Sequence, residues 1–149
     1  MTTQTLPVSA KTAYTITLNS LASATYVAGS SVDLSVIDPI DLIVEIEITP
    51  GTVAGNKQAK VFLQESLDGT DYSTGPTSGT TATDEPNLLF IGILPLNTNA
   101  TLQRKAFSVM AALGFIPPYH KPVVLNDSGV AFAGSGCAMN YSTVVGNSA

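Results

Sequence analysis

The chain is predicted to be all-β, a two-sheet antiparallel β-sandwich, on three observations. In Asp41–Thr49, Leu42, Val44, Ile46 and Ile48 alternate with Ile43, Glu45, Glu47 and Thr49. Successive strand side chains point to opposite faces, so this segment has one core face and one mostly wet face. Val61–Tyr72 runs from strand-forming residues into Asp68-Gly69, a turn signal because glycine adopts positive φ without strain. Segments rich in Val, Ile, Thr and aromatics also recur between turn signals along the whole chain, the all-β pattern.

Taken in order, strands are expected over Ala13–Leu18, Thr25–Ala28, Val32–Ile37, Asp41–Thr49, Gln58–Ser66, Leu88–Leu94, Leu102–Val109, Lys121–Asn126 and Val130–Tyr141. In Gln58–Ser66, Ala59, Val61 and Leu63 face inward and Lys60, Phe62 and Gln64 outward, which makes Phe62 a candidate exposed aromatic. Pro50-Gly51 and Gly55-Asn56 bracket one connection. Ser73–Asn87 is polar and lacks periodicity; loops of that length are usually functional or flexible. Only Phe107–Gly114 suits a helix, with Met110-Ala-Ala-Leu113 as one or two turns stopped by Gly114, before Pro117-Pro118 forces an extended path. Residues 1–12 read as an extended N-terminal arm, 13–142 as the sandwich and 143–149 as a C-terminal tail.

The 149 residues suffice for one domain with a real core. Hydrophobic residues make up 44% and charged residues only 11%, against roughly a quarter charged in average domains. Part of the surface is therefore expected to be covered, or carried by Ser, Thr and Asn. A net charge of -5 argues against phosphate-driven nucleic-acid binding, and Arg104-Lys105 is the one local basic cluster. No apolar run approaches the ~20 residues of a membrane span. The first residues, Met-Thr-Thr-Gln-Thr-Leu-Pro, lack the basic start and apolar core of a secretory signal. Cys137 is the single cysteine, which excludes an internal disulfide. Synthesis in a cytoplasm is the expectation.

The residues that could carry chemistry do not form a recognisable set. His120 is the one histidine, and partners at catalytic or metal-ligand spacing are not visible around it. Cys137 sits in Gly134-Ser-Gly-Cys-Ala-Met139, in an expected strand, without the base or helix N-terminus that would stabilise a thiolate. Gly134-Ser-Gly136 lacks the following helix of a phosphate loop, so a bulge or close backbone packing fits better. Asp68 with Asp71, or Asp38 with Asp41, lacks the bidentate Glu of a calcium loop, and Asp is an ordinary turn residue. The Asn-x-Ser/Thr triplets at Asn99, Asn126 and Asn140 have no meaning without secretion. Glu45 and Glu47 share one strand face, which solvation explains. No metal, no cofactor and no enzymatic activity are expected; the hydrolase alternative would use Ser135 or Cys137 as nucleophile, His120 as base and an aspartate to orient it.

Two segments carry a resemblance: Leu63-Gln-Glu-Ser-Leu-Asp-Gly-Thr-Asp-Tyr72, and Gly114–Gly136 with its Pro117-Pro118-Tyr119 approach to Val123-Val-Leu-Asn-Asp-Ser-Gly129. In order and spacing they are similar to small β-sandwich virion proteins of tailed bacteriophages, over roughly the C-terminal two-thirds of the chain. With the count of short strands, the resemblance implies a jelly roll of about eight strands; an immunoglobulin-like topology is the alternative, although its buried Trp and Cys pair are lacking. The best-fitting role within that group is a capsid cement or decoration protein on the virion exterior. It would bind the major capsid protein without nucleic acid or membrane, as a homo-oligomer, a trimer ahead of a dimer. Candidate capsid or intersubunit contacts are Leu6, Val8, Ile43, Phe62, Thr77, Arg104, Lys105 and Val144. The alternative role is a tail or baseplate accessory protein binding host glycans, with Tyr72, Tyr119 and Phe62 as its aromatic faces.

Overall fold

The structure, a computed structural model, describes residues 6–146. The outermost parts of the expected arm and tail, residues 1–5 and 147–149, lie outside the described residues. The strands are β1 (Thr12–Ala13), β2 (Tyr26–Ala28), β3 (Val32–Asp33), β4 (Asp41–Ile48), β5 (Gln58–Ser66), β6 (Ser78–Gly79), β7 (Leu89–Pro95), β8 (Gln103–Ser108), β9 (Tyr119–Asp127) and β10 (Ala138–Val144). A 3-10 turn covers Glu85–Asn87, and helix α1 covers Val109–Leu113.

Two antiparallel sheets pack against each other, as the alternation of Asp41–Thr49 requires. The first has the order β1-β10-β4-β8 and the second β6-β2-β9-β5-β7, with β3 also beside β9. The pairs nest along the chain: β1 with β10, β2 with β9, β4 with β8, and β5 with β7. Leu42, Val44, Ile46 and Ile48 of β4 face Ala59, Val61, Leu63 and Val124 of β5 and β9 across one continuous core. Each fully buried aliphatic side chain there contributes about 1.5–3 kcal/mol, so the four from β4, joined by Met139 of β10, anchor the first sheet to the second.

The outward face of the second sheet is not open to solvent, and this corrects the expectation for Phe62. Its ring is 3% exposed and packs with Tyr26, Leu88, Val123 and Leu125 in a second, smaller cluster. The chain after Tyr72 returns over this face: β6 pairs with β2, and Leu88 drops onto the cluster after the 3-10 turn. Ser73–Asn87 is thus a cover, with Asn87 Nδ2 donating to Thr74 Oγ1 across it at 2.7 Å. The aperiodic stretch in the sequence marked a segment that leads Leu88, the residue directly after it, onto these apolar side chains.

Other boundaries move for local reasons. Expected strand Val32–Ile37 stops at Asp33 because the Asp33 carboxylate accepts from the Ser35 backbone N–H and Oγ, 2.8 and 2.6 Å away, and turns the chain. Ala13–Leu18 leaves the ladder after Ala13 as Tyr14 and Leu18 enter the core. Expected strand Val130–Tyr141 holds only a bridge at Phe132 before β10 starts at Ala138. Asn126 explains the break: its Nδ2 donates to the Leu21 and Val130 carbonyls, both at 2.8 Å, and its Oδ1 accepts from the Ser128 N–H and Oγ. Helix α1 begins with Ser108 Oγ accepting from the Ala111 N–H and ends at Gly114 with φ 79°.

Between the two sheets' edges, the ring of Phe107 lies where a β-carbon on Gly92 would come within 2.3 Å of it. Lys105 Nζ from the same strand donates to the Ile93 carbonyl at 3.0 Å, which ties β8 to β7. Gly92→Ala is expected to destabilise by about 1–3 kcal/mol through overpacking, read as a lower denaturant midpoint with the slope unchanged. Phe107→Leu in that background should recover part of the loss, a coupling expected only of groups in contact. A Gly92→Ala midpoint equal to the parent's would contradict the close approach.

Candidate functional site

The outward face of the first sheet carries an ionic lattice. Register places Glu45 opposite Asn140 and Ala106, and Glu47 opposite Ala138 and Arg104. Lys11 Nζ lies 2.8 Å from Glu45 and 3.0 Å from Glu47, while Arg104 reaches the same two carboxylates at 3.8 and 3.2 Å. Lys11, then burial acting in opposition and Arg104, leave the Glu47 carboxyl below the ordinary value, and the two glutamates raise Lys11. Arg104 is therefore engaged within the chain. Ile43 is half-buried between Ser142 and Ser108 and borders a small depression of about 100 Å³ with Lys11, Asn140 and Tyr141. Lys105 is exposed and spans Ile93 and the Phe107 ring, 5.1 Å from its centroid.

The arm joins this sheet by its backbone. Val8 bridges Val144, Ser9 N–H donates to the Thr143 carbonyl at 2.8 Å, and Val145 N–H donates to the Pro7 carbonyl at 3.2 Å. Ser9 Oγ accepts from the Thr143 N–H, so a side chain substitutes for one rung of the ladder. Leu6 and Val8 are exposed and Val144 is half-buried.

On the second sheet, Thr77 is exposed and its carbonyl accepts from Ala28 N–H, which seats the cover on β2. Beside the cover, Phe90 stands 47% exposed with its ring centroid 5.4 Å from Phe62. Lys60, Glu85 and Pro86 join these two rings around an open depression of about 280 Å³. Tyr26 donates its hydroxyl to Glu85, and burial followed by that carboxylate raises its pKa. Tyr72 is half-buried under Lys121, whose Nζ is 3.8 Å from the ring centroid. Tyr119 is half-buried against Gly69, with its hydroxyl donating to Ser35 Oγ. Of the three aromatic faces expected for sugar, Phe62 is covered and the two tyrosines are engaged; Phe90 was not singled out because its exposure depends on where the cover ends.

The groups named for hydrolysis are separated. His120 is fully buried between the sheets, its Nε2 2.9 Å from the Tyr14 hydroxyl. Tyr14 also packs on Tyr141, and burial raises its pKa. His120 Nδ1 lies near the Pro117 carbonyl, close enough to favour the charged form slightly but without hydrogen-bond geometry. Cys137 is half-buried just before β10, not within a strand; its thiol lies near the Thr49 and Ala133 carbonyls, and burial pushes its pKa up. Ser135 lies in the same exposed connection. Thr49 and Ala133 mark the far end of the sandwich from His120, about 20 Å along β9 at the rise of a strand.

Asp68 is a turn residue: its Oδ1 accepts from Asp71 and Thr70 N–H and from Ser66 Oγ, and these bonds lower its pKa. Among the described residues, no cluster of three or more His, Cys, Asp or Glu is placed to hold a metal ion. No helix among them is long and apolar enough to cross a membrane. No protein-family model matches the chain, and no curated protein matches it.

Burial lowers the His120 pKa from 6.5 to about 4. The unfolded chain then binds the additional proton between those values, so stability is full above pH 6.5 and declines as pH falls toward 4. The loss is on the order of 3 kcal/mol. Urea unfolding at pH 7 and pH 5 should show the decline beginning before most carboxylates titrate. His120→Gln should flatten the profile between those two pH values; an equally steep profile in that variant would assign the dependence elsewhere.

Proposed function

We propose that this protein is a structural virion protein of a tailed bacteriophage, a capsid cement or decoration protein, with its sandwich wound as a jelly roll. Four nested antiparallel pairs, with β10 against β4 and β9 against β5, support that winding. The observation that carries the role is the backbone-held N-terminal segment at the sheet edge. An arm fixed by main-chain bonds can exchange that edge for a neighbour's, gaining affinity with little side-chain specificity. The resemblance of Leu63–Tyr72 and Gly114–Gly136 to phage virion proteins supplies the partner, the outer face of the major capsid protein.

Self-association belongs to the same reading, a trimer ahead of a dimer. The burial of Phe62 removes one of its two apolar contacts, leaving Ile43 on the first sheet. The protein on this reading is not an enzyme, acts without a cofactor, and is made in a bacterial cytoplasm. A second reading, glycan binding by a tail or baseplate protein, is favoured by one observation: the exposed Phe90 ring beside Glu85 and Lys60, an aromatic face with polar partners of the kind that binds sugar rings.

Removing residues 1–8 deletes the Val8–Val144 bridge but leaves β1 on β10. The shortened chain should unfold within a few degrees of the parent, about 1 kcal/mol in an average domain, yet bind purified shells much more weakly. Counting copies in the particle separates the roles: hundreds over the shell fit cement, while a handful at the tail, or saturable glycan binding lost in Phe90→Ala, favours the second reading.

A further inference from the structure

The exposed apolar side chains are unevenly placed. Leu102 lies near the start of β8, at the far end of the sandwich, and Phe90 lies on an outer sheet face. The other exposed large apolar residues among those described gather at the opposite end: Leu6, Val8, Val36, Ile37, Ile40 and Phe115, with Leu67 and Met110 beside them. Contacts of the connecting segments place them together. Ile40 N–H donates to the Val144 carbonyl that flanks Val8, and Asp41 accepts from Met110 N–H. Leu34 N–H donates to the Pro118 carbonyl, bringing the Val36 turn to the Phe115–Pro118 segment. Gly69 of the Leu67 turn packs on Tyr119, which bonds to Ser35. Val36 is 90% and Leu67 84% exposed, more than any other large apolar side chain described.

The charge at this end is predominantly acidic. Asp33, Asp38, Asp41, Glu65, Asp68 and Asp71 sit on the same turns and strand ends, more than half of the chain's 11 carboxylates. Lys121 is the one base there among the described residues, and it lies over Tyr72. Lys11 and Arg104 are held at Glu45 and Glu47 on the sheet face, and Lys57 lies at the far end.

We propose that this end of the sandwich is a docking surface for a protein partner that presents an apolar patch rimmed by Lys and Arg. Exposed apolar patches with polar rims mark interaction sites, and complementary charge selects the partner and speeds encounter. A second copy meeting face to face would oppose like carboxylates, and an anionic membrane would be repelled by them. The inference rests on the capsid reading for the partner's identity, which makes that surface part of the major capsid protein and the attachment end-on. The outer face of the first sheet is then left to meet neighbouring copies.

The test has two arms, both on the full chain. In the first, a synthetic peptide of alternating Leu and Lys is titrated while backbone amide shifts are followed, beside the same peptide with Glu for Lys and neutral phosphatidylcholine vesicles. The expected result is saturable shifts confined to residues 34–40, 67–71 and 115–116 with the Lys peptide, and roughly 100-fold weaker binding in the charge-neutral Val36→Ser/Phe115→Ser. Both positions are exposed, and amide spectra of the variant confirm its fold. Shifts on the Glu45–Glu47 face instead, equal binding of the Glu peptide, vesicle binding through these residues, or self-association abolished by the double substitution would each overturn the proposal. In the second arm, parent and variant are bound to purified shells. Equal attachment would overturn the docking surface and leave the capsid role standing. Attachment by neither would overturn the capsid role, and the peptide arm alone would then decide the surface.

Discussion

The fold depends on pairing between its most distant segments. β10 must lie between β1 and β4 before the first sheet exists, because β1 has no other neighbour and β4 meets β1 only through it. The same holds for β9, which joins β2 and β3 to β5. The ladders join residues far apart in the chain, such as Ser66 with Tyr119, Asp41 with Val144 and Thr12 with Tyr141, and each closure carries an entropic cost that grows slowly with loop length. Such a topology predicts slow folding for its size and an ordered sandwich that forms as one unit.

Polar groups inside the molecule are used where that topology needs fixing. Asn126 satisfies two carbonyls from separate connections at the end of β9, in the place where the chain leaves one sheet for the other. His120 and Tyr14 pair at the opposite end of the same strand, between the layers. Both are internal ties between segments that share no ladder, and a buried donor left unpaired by substitution would be destabilising. Through Nε2, the single histidine ties β9 to the chain just after β1.

The readability of the sequence follows from the same physics. β4 and β5 were legible to within a residue because one face of each is apolar at strict period two. Helix α1 was legible from Gly114, although its start depends on Ser108. The segment before β10 was misread because Val130-Ala-Phe132 has strand composition but is claimed by the Asn126 side chain. Phe62 was misplaced for a different reason: alternation reports which face a side chain takes, not whether another part of the chain later covers that face. The exposed end around Val36 was hidden for a related reason, since Val36 and Ile37 look like strand until Asp33 turns the backbone. The candidate contacts Leu6, Val8 and Lys105 are exposed, whereas Arg104 is engaged by Glu45 and Glu47.

The chain's charge scarcity acquires a pattern in three dimensions. Two bases and two acids neutralise one another on a sheet face, while unpaired acids collect at one end. The hydrogen-bonded neighbours Pro7 and Val145 lie at that same end. This antiparallel meeting of the first and last strands has a mechanical consequence. Tension applied through the two ends of the chain would unzip β1 from β10 one rung at a time, the weak direction for a ladder. A load carried from one end of the sandwich to the other runs parallel to the long strands β4, β5 and β9, where many rungs must shear together. The molecule is therefore soft when pulled by its ends and stiff when compressed along its length.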